Sequence, residues 1–373
     1  MTMTTPESRA ACAQQLLANS ARAATLTAFV GLDGFVDEIL RVVDKRENAE
    51  SYQPLPTITR LAERIAAAAG RSGNLELVRQ LTKLGGNGPI MANALAGFGL
   101  KVTYLGTIGH PTLHPVFNEF AARAEVHGIA NPGTTDALEF DDGKIMLGKH
   151  ESLKEITWDN IRGRYGLEKF TAKFSRSNLV AFVNWTMLPY MSDVWEAILR
   201  EVCPAMNAPR RIIFFDLADP EKRTTEDIAR ALDLMGRFNQ YFDVILGLNE
   251  KEALAIGEAC GVRPSAATPE ALAETATRIA AQWRVGTLVV HPVASALAVT
   301  AGQVSIVQGP WTPRPKVTTG AGDHFNSGFC LGKLLGFDNQ MSLLAGVAAS
   351  GIYVRTAQSP TIAELAEFLA RGW

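Results

Sequence analysis

The sequence predicts an α/β protein built around a mostly parallel β-sheet with helices on both faces. Apolar, strand-like runs alternate with helix-like segments along most of the 373 residues, and parallel strands require such crossover helices between them. With 47% hydrophobic and 20% charged residues, the chain can bury one large core. We therefore expect a single α/β domain, with one antiparallel hairpin as an exception to the parallel pattern.

The predicted strands and helices follow one another in a regular order. Strands are predicted at residues 25–31, 102–108, 179–184, 211–216, 244–248 and 287–291. Helices are predicted at residues 59–69, 115–127, 192–201, 224–235, 269–283 and 361–370. The last helix has a capping-box start, with Thr361 followed three residues later by Glu364. The repetition of strand, helix and strand indicates parallel pairing.

Two segments depart from this alternation. Residues 137–140 and 144–147 flank an Asp-Asp-Gly sequence, which is typical of a β-hairpin turn. Such a hairpin would disturb a parallel sheet, so we expect a separate flap within about residues 132–150. Residues 1–24 form an N-terminal extension, whose composition from residue 8 onward favours a helix. We expect it to cap the sheet or an oligomer contact, or else to be a frayed tail.

Charge and cysteine content exclude several kinds of partner. The formal net charge is -2 and there is no long Lys/Arg run, which argues against nucleic acid or a membrane surface as the main partner. No stretch reaches the roughly 18 consecutive apolar residues of a membrane-spanning helix, and the charged N-terminus is unlike a secretory signal. The four cysteines are scattered, as is usual for reduced thiols. We expect a soluble, cytoplasmic protein that binds small molecules; a homodimer is compatible with the sequence but not specified by it.

The most informative segment is Lys-Val-Thr-Thr-Gly-Ala-Gly-Asp-His-Phe-Asn-Ser-Gly at residues 316–328. Gly320, Ala321 and Gly322 have almost no side chain, so their amides and the positive end of the following helix can point at a phosphate. Asp323 would repel that phosphate unless it takes a proton from an attacking hydroxyl. The alternative interpretation is a glycine-rich helix start in which Asp323 is a first-turn capping residue.

Three further segments place polar groups next to predicted strands. Residues 85–99 form a second glycine-rich turn that leads into a small-residue helix, and residues 244–248 run into an Asn-x-x-Glu sequence at 249–252. The apolar segment from residue 29 onward carries Asp33 and Asp37 at its exit. In order and rough spacing, these segments together with the 316–328 loop resemble the ribokinase-like (PfkB) carbohydrate kinases. The resemblance covers residues 25–369.

The resemblance implies both a fold and an activity. The fold would be a ribokinase-like three-layer sandwich over residues 25–373, with a small β-lid that covers the sugar and includes the predicted hairpin. The activity would be ATP-dependent phosphorylation of a hydroxyl on a sugar or a sugar-like substrate. Asp323 would then be the general base, and the amides of Gly320, Ala321 and Gly322 would form the anion hole.

The family's Asn-x-x-Glu segment, matched here by Asn249 and Glu252, helps to organise Mg²⁺ and its waters near the nucleotide phosphates. Mg²⁺ prefers oxygen ligands and retains water, so a carboxylate one turn from an asparagine suits this role. The alternative interpretation is purely structural, because the same two residues form a capping box. Thr319, next to the anion loop, is expected to contact the nucleotide. Val317 stands where relatives have an aspartate that helps to hold a monovalent cation, so we expect little activation by potassium.

For the sugar, the resemblance implies contacts from the first strand's exit and from the second glycine-rich turn. Either Asp37 or Asp33 is expected to accept hydrogen bonds from sugar hydroxyls, because carboxylates at the carboxyl ends of parallel strands face the ligand crevice. Asp37 is one position away from the family's usual spacing, so Asp33 remains an alternative. Gly86 and Asn87 are expected to contribute from the second turn. Some relatives have Lys where Asn87 stands, so the sugar's identity is not predicted.

Two other functions remain to be weighed. The chain could be an inactive, kinase-like sugar sensor or scaffold, although the presence of Asp323, Asn249 and Glu252 argues against it. It could instead phosphorylate a nucleoside or a sugar phosphate. A sugar phosphate would require basic residues near the lid, which Lys144, Lys149 and Lys154 could supply. At the end of a strand, His291 could approach the nucleotide or simply be structural.

Overall fold

The computed structural model describes residues 4–206, 209–262 and 268–373. Its strands are β1 (Thr27–Leu32), β2 (Phe35–Arg46), β3 (Tyr52–Pro54), β4 (Leu77–Gly85), β5 (Lys101–Gly106), β6 (Glu125–Gly128), β7 (Gly133–Phe140), β8 (Gly143–Lys149), β9 (Leu179–Phe182), β10 (Arg211–Asp216), β11 (Phe242–Leu248), β12 (Thr287–Val290), β13 (Ser295–Thr300) and β14 (Gln303–Gln308). Its α-helices are α1 (Pro6–Ala18), α2 (Ser20–Ala23), α3 (Ile58–Ala67), α4 (Asn87–Gly97), α5 (Asn118–Ala121), α6 (Trp158–Asn160), α7 (Leu167–Arg176), α8 (Met191–Glu201), α9 (Thr225–Phe238), α10 (Glu250–Ala259), α11 (Pro269–Trp283), α12 (Ala321–Leu334), α13 (Asn339–Thr356) and α14 (Ile362–Arg371).

Within the described ranges, nine strands form the main sheet in the order β14, β13, β12, β11, β10, β9, β1, β5, β6. All neighbours from β12 to β6 are parallel, whereas β13 and β14 add an antiparallel edge. The predicted mostly parallel sheet is confirmed. Because parallel strands end at the same edge of the sheet, the residues that follow β1, β9, β10, β11 and β12 are brought together there.

Alternating side chains of the main sheet enter two separate cores. Phe29 of β1 and Phe215 of β10 belong to one core, while their neighbours Val30 and Phe214 belong to the other. Helices α8, α9, α10 and α11 cover the first core, and helices α1, α4, α12, α13 and α14 cover the second. This alternation follows from the two-residue period of a strand. The predicted arrangement of helices on both faces is confirmed.

A second, smaller sheet begins immediately after β1. It contains β3, β2, β7 and β8 in that order, and β4 also pairs with β2. The pairing of Phe140 with Gly143 places Asp141 and Asp142 in the turn between β7 and β8, so the predicted hairpin is confirmed. A small core beneath this sheet includes Leu61 of α3 and Leu138 of β7. The hairpin therefore lies in a sheet of its own, outside the parallel one.

The predicted helix at residues 115–127 is wrong. The structure has a single 3-10 turn at Pro115–Phe117, the short helix α5 and then strand β6. Strand β6 pairs with the otherwise free edge of β5, with Thr103 opposite Glu125. Alanine and arginine between these elements favour a helix locally, but the open sheet edge offers a row of backbone hydrogen bonds that a longer helix would leave unmade.

The N-terminal segment packs on the body of the protein. Residues 1–3 of the predicted extension lie outside the described residues, and α1 begins after the N-cap Thr5. Cys12, Ala13 and Leu16 of α1 are buried in the core shared with α14. The frayed-tail alternative is therefore wrong for residues 6–18. Across the described parts of the chain, no helix is long and apolar enough to span a membrane.

Replacing Leu16 by Ala is expected to lower the free energy of unfolding by about 2–4 kcal/mol, because the substitution opens a cavity under α1. The matched control is Leu17→Ala on the same helix, where the side chain is 53% exposed and the expected change is within about 0.5 kcal/mol. Urea unfolding of the three proteins measures both values. Equal stability of the two variants would contradict the packing of α1 on the core.

Candidate active site

Five polar residues lie at or just beyond the carboxyl ends of neighbouring parallel strands. Asp216 ends β10, and the other four lie one or two residues after the ends of β1, β9, β11 and β12: Asp33, Asn184, Asn249 and His291 respectively. A cavity of about 430 Å³ opens beside them. Its polar wall includes Asn87, Asp216, Asn249, Glu252 and the 320–323 loop. The structure thus brings the glycine-rich loops of residues 85–88 and 320–323 to the same edge of the sheet.

Asp323 is buried in the wall of this cavity. Its Oδ1 accepts a hydrogen bond from Asn87 Nδ2 at 3.0 Å. The pKa of Asp323 is raised to about 8, chiefly by burial and in smaller part by the negative charges of Asp33 and Glu252, while the Asn87 hydrogen bond opposes the shift. A carboxylate whose pKa lies near neutrality can both accept and release a proton under ordinary conditions.

The loop before Asp323 ends in a left-handed turn. Gly320 has φ 93° and is the N-cap of α12, a conformation that favours glycine. Ala321 N–H donates to the Thr318 carbonyl at 3.1 Å, so the structure differs here from the expectation of three free amides. The amides of Gly320 and Gly322 have no acceptor among the described residues. These two groups, at the positive end of α12, can receive an anion.

Asn249 and Glu252 form a capping box at the start of α10. Asn249 Oδ1 accepts from Glu252 N–H at 2.9 Å, and Glu252 Oε2 accepts from Asn249 N–H at 2.8 Å. Glu252 Oε1 accepts from Asp219 N–H at 3.0 Å. Burial raises the pKa of Glu252, and these backbone hydrogen bonds oppose the shift. The capping interpretation is confirmed; it leaves a second lone pair on each carboxylate oxygen for water.

Asp216, the last residue of β10, was missed by the sequence analysis. Its Oδ1 accepts from Ala218 N–H at 2.9 Å and its Oδ2 from Asn326 Nδ2 at 2.8 Å. Burial raises the pKa of Asp216 well above its ordinary value, and the charges of Glu252 and Asp323 add to the shift. A carboxylate at the carboxyl end of a predicted parallel strand was the available signal.

The three buried carboxylates of Asp216, Glu252 and Asp323 repel one another, and no Lys or Arg side chain is hydrogen-bonded to any of them in the described residues. Oxygen donors with uncompensated negative charge suit a hard cation such as Mg²⁺. Among the residues that the structure describes, no three His, Cys, Asp or Glu side chains are arranged to bind a metal directly. The donor set therefore fits an ion held through its water shell.

Asp33 fastens the second glycine-rich loop rather than facing the cavity. Its Oδ2 accepts from Asn87 N–H at 2.9 Å and from Asn184 Nδ2 at 2.8 Å, and its Oδ1 accepts from Gly88 N–H at 2.8 Å. Asp33 is fully buried, and burial raises its pKa to about 6. Gly86 has φ 96°, and a Cβ atom added at this position would lie 3.0 Å from the Asp33 carboxylate. Asp33 thus sets the position from which Asn87 reaches Asp323.

Asp37 lies in the second sheet, near the start of β2. It is paired with Lys83 of β4 and Thr135 of β7. Burial raises the pKa of Asp37, and the Lys83 charge opposes that shift. Burial raises the pKa of Tyr353 to about 12, and the charges of Asp323 and then Asp37 contribute. The negative charges of Asp37 and Asp323 therefore both raise the pKa of Tyr353, although Asp37 is not part of the cavity wall.

Another part of the cavity wall is mostly apolar and was not found from the sequence. It is formed by loop and helix residues that include Pro292, Val293, Trp311, Val347 and Val354. These residues are distant in sequence, and single apolar residues in loops carry no motif. An apolar wall beside the free amides of Gly320 and Gly322 suits the base of a nucleotide.

Two further predicted residues are placed by the structure. His291 is in the cavity wall, its ring centroid is 4.8 Å from that of Phe325, and burial lowers its pKa to about 4, so it is neutral. Thr318 also belongs to the wall, whereas the Thr319 carbonyl accepts a hydrogen bond from the Tyr353 hydroxyl at 3.1 Å. A nucleotide contact by Thr319 stays a prediction.

The chain matches a known protein family over nearly its whole length. The profile of the family described as prokaryotic ketohexokinase matches residues 1–371. The chain belongs to this family. Among curated relatives, a ketohexokinase of Haloferax volcanii is 28% identical over 340 residues, which are 91% of this chain and 89% of that protein.

Solved structures of the same fold cover nearly the whole chain. A carbohydrate kinase from Agrobacterium tumefaciens gives a TM-score of 0.64 at 18% identity, over 92% of this chain and 97% of the other. A ribokinase from Cryptococcus neoformans in complex with ADP gives 0.61 at 16% identity, over 92% and 98% of the two chains. Phosphofructokinase-2 from Escherichia coli gives 0.61 at 15% identity, over 93% and 98%. The predicted ribokinase-like fold is confirmed.

Family and fold together establish the class of reaction. This member of the ketohexokinase family is a kinase that uses ATP to phosphorylate an alcohol group of a sugar. The inactive scaffold, the nucleoside kinase and the sugar-phosphate kinase are not favoured. The acidic cluster and the two free amides described above are the groups available in this kinase to move a proton and to bind a phosphate.

Replacing Asp323 by Asn is expected to stabilise the substrate-free kinase increasingly as the pH rises from about 4 to about 8. In the unfolded chain this carboxyl has a pKa of about 3.9, whereas burial raises it to about 8 in the folded protein. The wild type therefore loses stability as the pH rises through this window, because the folded state resists ionisation. Asn has nearly the same shape and cannot ionise.

Urea unfolding of both proteins at a series of pH values tests this expectation. The control is Asp233→Asn, since Asp233 is exposed on α9. A stability difference between Asp323→Asn and wild type that does not change with pH would contradict the raised pKa.

Proposed function

We propose that this kinase phosphorylates a ketohexose and that Asp323 is its general base. The family profile and the Haloferax volcanii relative support the ketohexose. The observation that carries the role of Asp323 is its place in the cavity wall, buried, hydrogen-bonded to Asn87 and one residue after the free Gly322 amide. That arrangement places a proton acceptor beside an anion site, as phosphoryl transfer to a hydroxyl requires.

In the proposed step, a sugar hydroxyl gives its proton to the Asp323 carboxylate while its oxygen attacks the terminal phosphorus of ATP. The bond from that phosphorus to the bridging oxygen breaks, and ADP leaves. Negative charge on the transferred group is stabilised by the amides of Gly320 and Gly322 and by the N-terminus of α12. The Ala321 amide, already bonded to Thr318, contributes less than the sequence analysis expected.

The sugar is proposed to lie between the second sheet and the 85–88 loop, which makes that sheet the lid of residues 132–150 and its partner strands. Asn87 offers a hydrogen bond next to the base, and Asp37 offers a carboxylate from the lid. Asp33 acts on the sugar only through Asn87 and Gly86, because its oxygens are occupied by backbone and amide donors. This assigns the two candidate aspartates different roles.

Mg²⁺ is proposed to be held through water by Glu252 and Asn249, with Asp216 as a second carboxylate. When bound, it would neutralise charge on the nucleotide phosphates. Both capping-box side chains keep lone pairs free for such waters. Thr319 is proposed to contact the nucleotide through its backbone. Val317 supplies no oxygen from its side chain, so activation by potassium is expected to be small.

A free sugar is favoured over a sugar phosphate by the charges of the lid. Lys144 is paired with Glu139 at 3.1 Å, and Lys149 with Asp136 at 2.9 Å. Lys154 is likewise paired with Glu151 at 2.8 Å. Each predicted phosphate ligand therefore already has an acidic partner.

The proposed setting is the cytoplasm, where the free thiols of the chain would stay reduced. A homodimer stays an open expectation, as does the division between residues 1–24 and 25–373.

The test is a phosphorylation assay with ATP and Mg²⁺ over D-fructose, D-glucose, D-ribose, fructose 6-phosphate and adenosine. The highest kcat/KM is expected for the ketohexose, and Asp323→Asn is expected to lower its kcat at least about 100-fold while nucleotide affinity stays within a few-fold. Asp233→Asn serves as the control. A higher kcat/KM for ribose, the sugar phosphate or the nucleoside would refute the substrate, and native turnover of Asp323→Asn would refute the base.

Replacing Glu252 by Gln is expected to raise the Mg²⁺ concentration that gives half-maximal activity by about 3- to 10-fold, because one negative charge near the ion is lost. Gln keeps one side-chain oxygen for the Asn249 amide, but its NH2 group replaces the oxygen that accepts from Asp219 N–H, so a modest loss of thermal stability is expected as well. The control is Glu258→Gln, farther along α10. An unchanged Mg²⁺ dependence with lowered stability would leave Glu252 with the capping role alone.

A further inference from the structure

His324 directly follows the proposed base but is not part of the cavity wall. Its Nδ1 lies 2.7 Å from the Gly320 carbonyl oxygen, and its Nε2 lies 2.9 Å from Ser359 Oγ. Because a carbonyl oxygen only accepts, Nδ1 must carry the proton, and Nε2 accepts from the Ser359 hydroxyl. The residue is buried, so the ring is held as one neutral tautomer.

Tyr353 of α13 is stacked on this imidazole. The two ring centroids are 3.7 Å apart and the planes differ by 13°. The Tyr353 hydroxyl donates to the Thr319 carbonyl at 3.1 Å. Two stacked side chains therefore hold the carbonyls of two consecutive residues, Thr319 and Gly320.

A carbonyl group that is held in place also fixes the direction of the N–H in the same peptide group. In a planar trans peptide the C=O and N–H groups point in opposite directions, so a fixed Thr319 carbonyl directs the Gly320 N–H away from Tyr353. The Gly320 carbonyl belongs to the peptide of the Ala321 N–H, which directly precedes the peptide that carries the Gly322 N–H. His324 holds this carbonyl twice, because its backbone N–H also donates to it at 3.1 Å. Glycine lacks a side chain to limit its own backbone, so such a loop needs restraint from its surroundings to keep one geometry.

We propose that His324 and Tyr353 are positioning residues for the reaction, which keep the anion-binding amides of Gly320 and Gly322 aimed before ATP arrives. The inference rests on the proposed function of that loop. Ser359 anchors the imidazole from the segment before α14, and its Oγ also accepts from Asn93 Nδ2 of α4 at 3.3 Å. Preorganised amides act most strongly on charge that develops in the transition state, so their disorder lowers kcat more than it raises KM.

The experiment compares His324→Phe, which keeps a stacked ring but removes both hydrogen bonds, with His324→Asn, which keeps a donor near the Nδ1 position. His324→Phe is expected to lower kcat about 10- to 100-fold with both KM values within about threefold, and His324→Asn to recover most of the loss. Tyr353→Phe, which removes one oxygen atom, is expected to lower kcat about 3- to 10-fold. His127→Asn, on β6, is the control and should have native kinetics.

Native kcat of His324→Phe would overturn the proposal, and so would equal defects in His324→Asn and His324→Phe. A rise of the ATP KM that accounts for the whole loss would also overturn it. If His324→Phe does not fold, native kcat of Tyr353→Phe decides against the proposal and a lowered kcat at native KM supports it. Asp323→Asn is assayed in parallel, because its activity tests the proposed function separately from the role of His324.

Discussion

The buried carboxylate of Asp33 holds together, by hydrogen bonds, the segments that position the candidate active site. It lies where β1 ends and the second sheet begins, and it accepts from the backbone of Asn87 and Gly88 at the start of α4 and from Asn184 beyond β9. A buried carboxylate that has three donors is far less costly than an unpaired one. These hydrogen bonds hold the 85–88 loop against the end of β1, the position from which Asn87 reaches Asp323.

The electrostatics of the site show a conflict between stability and activity. Burial raises the pKa of Asp33, Glu252 and Asp323, and repulsion among neighbouring carboxylates adds to the shift for Asp216 and Asp323. A fold selected for stability alone would not collect such groups in one place. Backbone amides donate to Asp33, Asp216 and Glu252, and the Asn87 side chain donates to Asp323. The proton acceptor and the hydrated cation that we propose for this site would both require such an environment.

Much of the fold could be predicted from the sequence because strand and helix periods are local properties. Six strands of the main sheet and the N-cap at Thr361 were predicted from local sequence patterns, and the Asp-Asp-Gly sequence predicted a hairpin turn. The helix predicted at 115–127 failed because the free edge of β5 outweighed local propensity. The long strand β2 (Phe35–Arg46) of the second sheet was not predicted, because its side chains are buried by pairing with β4 and β7, which are distant in the chain.

Part of the candidate active site could likewise be predicted from the sequence. Glycine-rich loops are recognisable in a sequence, so the 320–323 and 85–88 loops were predicted. The carboxylates beside these loops were predicted together with them. Asp216 ends β10 and Asn184 lies just beyond β9, and only the sheet order shows that β10 lies beside β11 and β9 beside β1. The links from His324 to Gly320 and Ser359 require three segments to meet in space, and no spacing in the sequence indicates that meeting.

A structure of the kinase with a ketohexose and a non-hydrolysable ATP analogue tests the central claim most directly. The account predicts one sugar hydroxyl oxygen about 2.6–3.2 Å from the Asp323 carboxylate, with the terminal phosphate against the amides of Gly320 and Gly322. A complex in which the reacting hydroxyl faces Asp37 instead, or in which the phosphate lies away from the start of α12, would contradict it.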